Sequence, residues 1–192
     1  MVKKLHKKKV FMITDKNLVW IDLEMTGLNA DYDVILEIAT IITDSELNII
    51  AQGPSLVVYQ SDGALGVMEE YVRNMHAKSG LTDKVRSSKV TLSEAYEQTF
   101  AFIKQHCAKH SALLAGNSVW QDRAFLLKYM PDIVKYLHYR IVDISGVKML
   151  VRGWYPNSPY ADFKKPESHR ALEDVKESIE ELKHYRKYFF IK

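Results

Sequence analysis

A chain of 192 residues is long enough to bury one well-packed domain and too short to call for two. With 47% apolar and 27% charged residues it has the balance of an ordinary globular protein, and its longest apolar runs, such as Ile38 to Ile42, fall far below the roughly 20 residues that span a bilayer. The net charge of +3 is local, because Lys3, Lys4, Lys7, Lys8 and Lys9 stand within the first nine residues and the remainder carries 22 basic against 24 acidic residues, which disfavours a protein that tracks along a nucleic-acid polymer.

Residues 1–16 are expected to form a basic, solvated, mobile tail, followed by one domain over 17–192. Within the tail, Val10 to Ile13 is too short an apolar run for a secretory signal, so a cytoplasmic location is the expectation. The single Cys107 has no internal disulfide partner and agrees with a reducing compartment. It reads as a small buried hydrophobe.

In chain order, Asn17 to Glu24 reads as a strand, and Val34 to Thr43 and Ile49 to Tyr59 as two more. The turn chemistry of Asp44 to Asn48 makes the three an antiparallel meander. Thr91-Leu92-Ser93-Glu94 is a capping-box pattern that opens a helix to about His106, with an apolar stripe through Leu92, Ala95, Tyr96, Thr99, Phe100 and Ile103. Ala112 to Ala115 reads as a short buried strand, and a helix follows Asn117-Ser118, with Ser118 and Gln121 again spaced as a capping box. Tyr139 to Asp143 is a further strand. Arg152 to Glu167, with Pro156, Pro159 and Pro166, reads as an irregular loop, and a last helix starting near Ser168 lines one face with Leu172, Val175, Ile179 and Leu182. Strands first, then alternating helices and strands, predict an α/β domain with a mixed sheet flanked by helices.

Asp22 and Glu24 occupy alternate positions of the first strand and leave the same face, while Ile21 and Leu23 point the other way into a core. Two adjacent carboxylates repel unless a cation holds them or one is protonated, and hard oxygen ligands suit Mg²⁺ or Mn²⁺. Taken singly, the acids have bland readings: Asp-x-Glu as a solvated strand face, Asp122 as a dipole partner in a first helical turn, Asp174 as a surface charge. Gly27, in Met25-Thr26-Gly27-Leu28, permits a turn at the strand end, where Leu28 is either buried or an exposed apolar wedge.

Asp-x-Glu, an Asp about a hundred residues later, and His169-x4-Asp174 together resemble the ordered signature of the DEDDh 3′→5′ exonucleases. More closely, Trp20 to Leu28, Gly116 to Arg123 and His169 to Asp174 resemble the oligoribonuclease family, and the resemblance runs from about Asn17 to the carboxyl end. It implies an RNase H-like fold and hydrolysis of short single-stranded RNAs, dinucleotides especially, to 5′-mononucleotides. It further implies two divalent ions, Mg²⁺ or Mn²⁺, held by Asp22, Glu24, Asp122 and Asp174, with His169 as general base on the attacking water. By the same resemblance, Leu28 wedges between two bases, Ser118 helps to hold the terminal phosphate, and Tyr71 and His76 border the nucleotide pocket. Tyr71 stands where many members of the family have tryptophan. His138-Tyr139-Arg140, followed by Asp143 and Ser145, resembles the segment that caps a dinucleotide's 5′ phosphate from the partner subunit of a homodimer. A longer-substrate exonuclease of the same fold is the nearest rival; a catalytically silent nucleotide-binding module is the rival from another class.

Overall fold

The computed structural model describes residues 16–164 and 169–190. The basic extension up to residue 15 and the expected helix start at Ser168 lie outside them.

Alternation builds the sheet. β1 (Leu18–Met25) pairs antiparallel with β2 (Ile35–Thr43), and β2 pairs antiparallel with β3 (Ile49–Val57), which is the expected meander. The turn between β2 and β3 is closed by Asp44, whose Oδ1 accepts the N–H groups of Glu46 and Asn48. Three short helices follow, α1 (Asp62–Gly66), α2 (Glu70–Lys78) and α3 (Leu81–Ser87), none of which the sequence reading had assigned. α4 (Leu92–His106) starts at the predicted capping box, with both Thr91–Glu94 hydrogen bonds in place. It lies so close to β3 that a Cβ on Gly53 would meet the Phe102 ring at 2.5 Å.

The chain then enters β4 (Leu113–Gly116), α5 (Val119–Tyr129), α6 (Pro131–Tyr136) and β5 (His138–Asp143). β4 runs parallel to both β1 and β5, giving the sheet order β3-β2-β1-β4-β5. α7 (Ile144–Trp154) follows β5 directly and occupies the start of the stretch read as a loop, and α8 (Ala171–Phe189) closes the fold.

The side chains of β1 divide between two apolar layers. Val19, Ile21 and Leu23 pack with Ala95, Ile103, Phe125 and Leu126 on the α4–α5 side. Leu18 and Trp20 pack with Ile144, Val175, Ile179 and Tyr185 on the α7–α8 side. Trp20 is fully buried and its indole N–H donates to Thr43 Oγ1 at 3.0 Å, so its burial leaves no orphaned donor. Each such side chain contributes about 1.5–3 kcal/mol relative to exposure. The period of two then fixes what comes next: the residues that continue the Leu18–Trp20 row are Asp22 and Glu24, so both carboxylates emerge on the side of α8.

Candidate active site

α8 brings Asp174 to those two acids. One carboxylate oxygen from each of Asp22, Glu24 and Asp174 lies within 4.8 Å of the others. Glu24 is only 8% exposed. Burial and the neighbouring Asp174 and Glu37 push its carboxyl up to about 8. Asp22 is likewise raised well above the usual carboxylate range by burial and by Asp122, Glu24 and Asp174. Such a cluster favours protons or a cation over free charge, and its all-oxygen donor set fits a hard divalent ion.

Asp122 is held differently. It sits in the first turn of α5, buried, and its Oδ1 accepts the Leu23 N–H at 2.9 Å. Burial raises its carboxyl to about 7, although that hydrogen bond works in the opposite direction. Asp122 therefore stands beside the three-carboxylate group and acts on Asp22 through its charge.

His169 lines the same recess of about 300 Å³ together with Asp22, Glu24, Asn117, Asp174 and Glu177. It adopts the left-handed backbone region, φ 47°, two residues before α8 begins. Glu177, one helical turn beyond Asp174 and facing the recess, had no signal of its own in the sequence.

A second, larger cleft of about 960 Å³ opens beside the acids, lined by Thr26, Leu28, Tyr71, Trp120 and Gln121 among others. Leu28 and Tyr71 are 73% and 74% exposed. Apolar side chains this open are unexplained by packing. The loop carrying Leu28 is held at several points: Asp33 accepts the Thr26 hydroxyl at 2.8 Å and the Asn29 N–H at 2.9 Å, Lys128 Nζ donates to the Ala30 and Asp31 carbonyls, and Gln121 Nε2 donates to the Leu28 carbonyl. A Cβ on Gly27 would meet the Asp33 carboxylate at 2.5 Å, so the loop needs glycine there. His76 lines neither space. It is fully buried behind Glu24, with Nε2 2.8 Å from the Met25 carbonyl and Nδ1 3.8 Å from Glu24 Oε2, and burial lowers its pKa.

The Ser118 capping box is corrected by the structure. Ser118 has φ 49° and its side chain caps nothing in α5. Its N–H donates to Asp143 Oδ1 at 3.1 Å and to Ser145 Oγ at 2.9 Å, and the two serine hydroxyls lie 2.9 Å apart. Long-range bonding to the start of α7 outcompetes the local pattern. Ser145 also donates to Asn117 Oδ1, and Asn117 Nδ2 donates to Ser178 and to the fully buried Glu181, so these residues form one network reaching α8.

His138, Tyr139 and Arg140 are placed elsewhere. His138 pairs with Leu113, and Leu113 with Leu18, at the opposite end of the sheet from Glu24. Along the strand direction, at ~3.3 Å per residue, His138 is about 13 Å from the level of Asp22 and about 20 Å from that of Glu24. Tyr139 is exposed, stacked on His138 and overlain by the Arg140 guanidinium.

Comparison with known proteins places these features in context. Residues 19–182 match the RNase_T family, described as exonuclease. An oligoribonuclease of Ectopseudomonas mendocina (strain ymp) is 49% identical over 178 residues, covering 93% of this chain and 98% of its own. A probable oligoribonuclease of Dictyostelium discoideum is 53% identical over 171 residues, 89% of each chain. In overall shape, the Mg²⁺- and Mn²⁺-bound form of S. pombe Pop2p matches with a TM-score of 0.68 at 14% identity, covering 90% of this chain and 84% of its own, a likeness of fold.

Proposed function

The chain belongs to the oligoribonuclease group of the RNase_T exonuclease family, and from that premise we propose that it converts dinucleotides and other very short RNAs to 5′-mononucleotides, using Asp22, Glu24, Asp122 and Asp174 to hold two Mg²⁺ or Mn²⁺ ions and His169 as general base. The observation that carries the site assignment is the convergence of the Asp22, Glu24 and Asp174 oxygens within 4.8 Å beside His169. A pure binder of phosphate gains nothing from carboxylates gathered at this density. When bound, two such ions would stabilise the attacking and leaving oxygens of an in-line phosphoryl displacement.

The remaining steps fall to the chain itself. His169 takes the proton of the attacking water, a task suited to an imidazole near neutral pH. The exposed Leu28 and Tyr71 share one cleft, where Leu28 parts two bases and Tyr71 stacks on one; Trp120, to which the sequence reading gave no role, offers a second aromatic face. The Ser118 hydroxyl, turned away from Ser145 Oγ, supplies a donor for a phosphate oxygen, while the Ser145 hydroxyl stays on Asn117 Oδ1. His76 serves from behind, bracing the Met25 carbonyl next to Glu24.

His138, Tyr139 and Arg140 cap the 5′ phosphate of a substrate held by a partner subunit. Their distance from the acids of their own chain supports action in trans. Among the described residues β5 is an edge strand, and with the exposed Met149, Leu150 and Trp154 of α7 and Tyr155 just after it, it provides the surface for a second copy of the chain. A cap of this kind closes the substrate slot at two bases, which agrees with a slightly acidic body. Among the described residues no helix is long and apolar enough to cross a membrane, and the buried free Cys107 suits a reducing cytoplasm.

A timed hydrolysis series on 5′-phosphorylated RNAs of two to seven nucleotides, with Mn²⁺ and then with EDTA, tests the whole reading. Fast metal-dependent turnover of the dinucleotide, falling with length, is expected. Preference for the longest RNA removes the two-base slot, and absence of cleavage at every length removes the enzyme.

A further inference from the structure

We infer that Glu37 and Arg170 form an anchor that sets the position of His169, so that this pair governs the rate of cleavage without touching the substrate. The inference rests on His169 being the general base proposed above. Glu37 is the third residue of β2, directly across from Glu24 on β1, and is 1% exposed. A carboxylate inside the strand Ile-Leu-Glu-Ile-Ala-Thr-Ile-Ile-Thr is costly unless paired. Its partner is 133 residues away: Arg170 Nη2 donates to Oε1 at 2.7 Å and Nε donates to Oε2 at 3.0 Å. This two-point fork fixes the guanidinium plane as well as its position.

The same carboxylate also holds the helix that follows. Oε2 accepts the N–H of Ala171, the first residue of α8, at 3.3 Å. Arg170, the residue at the cap position, gives α8 no side-chain cap, so a carboxylate from β2 serves one of the free N–H groups there. Both Glu37 oxygens are thereby engaged with α8's start, which separates this acid from the three that converge in the recess.

His169 is joined to Arg170 by one peptide bond and sits at φ 47°, a region that a residue with a Cβ occupies only when its surroundings impose it. The fork on the next residue is such a restraint. Asp174 depends on it less, because the buried Val175 and Ile179 hold α8 against the sheet by themselves. Loss of the fork therefore misplaces the imidazole while leaving the carboxylate group in place.

The test is a kinetic double-mutant cycle on the full chain with a 5′-phosphorylated RNA dinucleotide. Arg170→Ala is expected to lower kcat by about 100-fold, the scale of a 1 Å misplacement of a reacting group. KM and the Mn²⁺ concentration for half-activity should stay within about twofold of wild type. Arg170→Lys, which makes one contact instead of two, should recover part of the rate. On a His169→Ala background, Arg170→Ala should cost little more, because the group it positions is already gone. The apolar pair Glu37→Met/Arg170→Met, which leaves no buried unpaired charge, should fold and show the same kcat loss. If Arg170→Ala exacts its full penalty on top of a deficient His169→Ala variant, the anchoring is wrong and the general base stands. If His169→Ala itself leaves kcat unchanged, the general-base reading falls and this inference falls with it.

Discussion

The Oδ1 of Asp122 accepts the backbone N–H of Leu23 at 2.9 Å, and Leu23 is the residue between Asp22 and Glu24. Asp122 thus fixes the strand that presents the other two acids, as well as adding charge beside them. The two roles separate by substitution. Asp122→Asn keeps an oxygen to accept the Leu23 N–H and should melt close to wild type while losing most activity. Asp122→Ala also leaves that buried N–H without a partner, at a cost of about 1–3 kcal/mol. Urea unfolding of the two variants beside their dinucleotide turnover checks the split; equal stability would remove the structural role.

The raised carboxyls make the metal-free protein sensitive to base. Glu24 titrates at about 8 and Asp122 at about 7 in the folded protein, against 4.5 and 3.8 as ordinary values. Between those limits the folded state holds protons that the unfolded chain has released. Stability is therefore fully present below the unfolded values and falls as pH rises through about 7 to 8. Divalent ions take the place of those protons, so their binding releases protons and strengthens with pH. Thermal melts from about pH 5 to about pH 8.5 in EDTA should show Tm falling, and Mn²⁺ should flatten the curve. Glu24→Gln should show a shallower fall in EDTA; an unchanged slope would mean that Glu24 is ionised without metal.

The placement of Arg140 toward the end of the sheet away from Glu24 gives a test of action in trans. Asp22→Ala disables the acids and Arg140→Ala disables the cap. In the proposed dimer, the two variants co-expressed with different tags would form mixed dimers in which one site combines intact acids from one subunit with an intact cap from the other. About a quarter of all sites are then restored at random assortment. Dinucleotide activity of the mixture well above that of either homodimer is the expected result. If the cap works in cis, no mixed site is complete and mixing adds nothing.

Gly27 and Leu28 are neighbours with opposite sensitivities. Leu28 is exposed, so Leu28→Ala should leave Tm unchanged and raise KM for the dinucleotide, at about 0.8 kcal/mol for each methyl or methylene no longer buried against a base. Gly27→Ala places a methyl 2.5 Å from the Asp33 carboxylate, which holds the loop through Thr26 and Asn29. That change should lower both Tm and activity. Gly27→Ala with an unaltered melt would show that the loop gives way freely.

The legible parts of this molecule are those written in local periodicity. Apolar, β-branched-rich runs in residues 17–24 and 34–43 mark β1 and β2, and alternation marks the face of Asp22 and Glu24 and the core behind Ile21 and Leu23; the second core, on the α7–α8 side, comes only with the structure. Helices α1 to α3 are too short to show a long apolar period, whereas α7 carries Ile144, Val147, Val151 and Trp154 at helical spacing, a signal the sequence offers. Ser118 and Gln121 carry the local spacing of a cap, yet Ser145, 27 residues on, claims the serine. Glu37 had one signal that could have been used, a lone charge in a strand otherwise free of charge, but nothing local points from it to Arg170.

The network under Ser118 ends on Glu181, which is fully buried and receives hydrogen bonds from Asn117 Nδ2 at 2.9 Å and Tyr185 Oη at 3.0 Å, with Lys148 Nζ at 2.9 Å as its counter-charge. Burial and the neighbouring Glu181 keep the Tyr185 hydroxyl protonated well above its usual range, so it remains a donor. Lys148→Met strips the counter-charge from a carboxylate that has no access to water and should cost about 3 kcal/mol. Adding Glu181→Gln to that variant should return part of the loss, because a neutral amide needs no counter-ion and its oxygen still accepts from Tyr185, while its NH2 gives up the hydrogen bond from Asn117 Nδ2. Urea denaturation of wild type, single and double variants measures the recovery. A double variant no more stable than Lys148→Met would mean that Lys148 contributes through packing of its stem against α8, not through its charge.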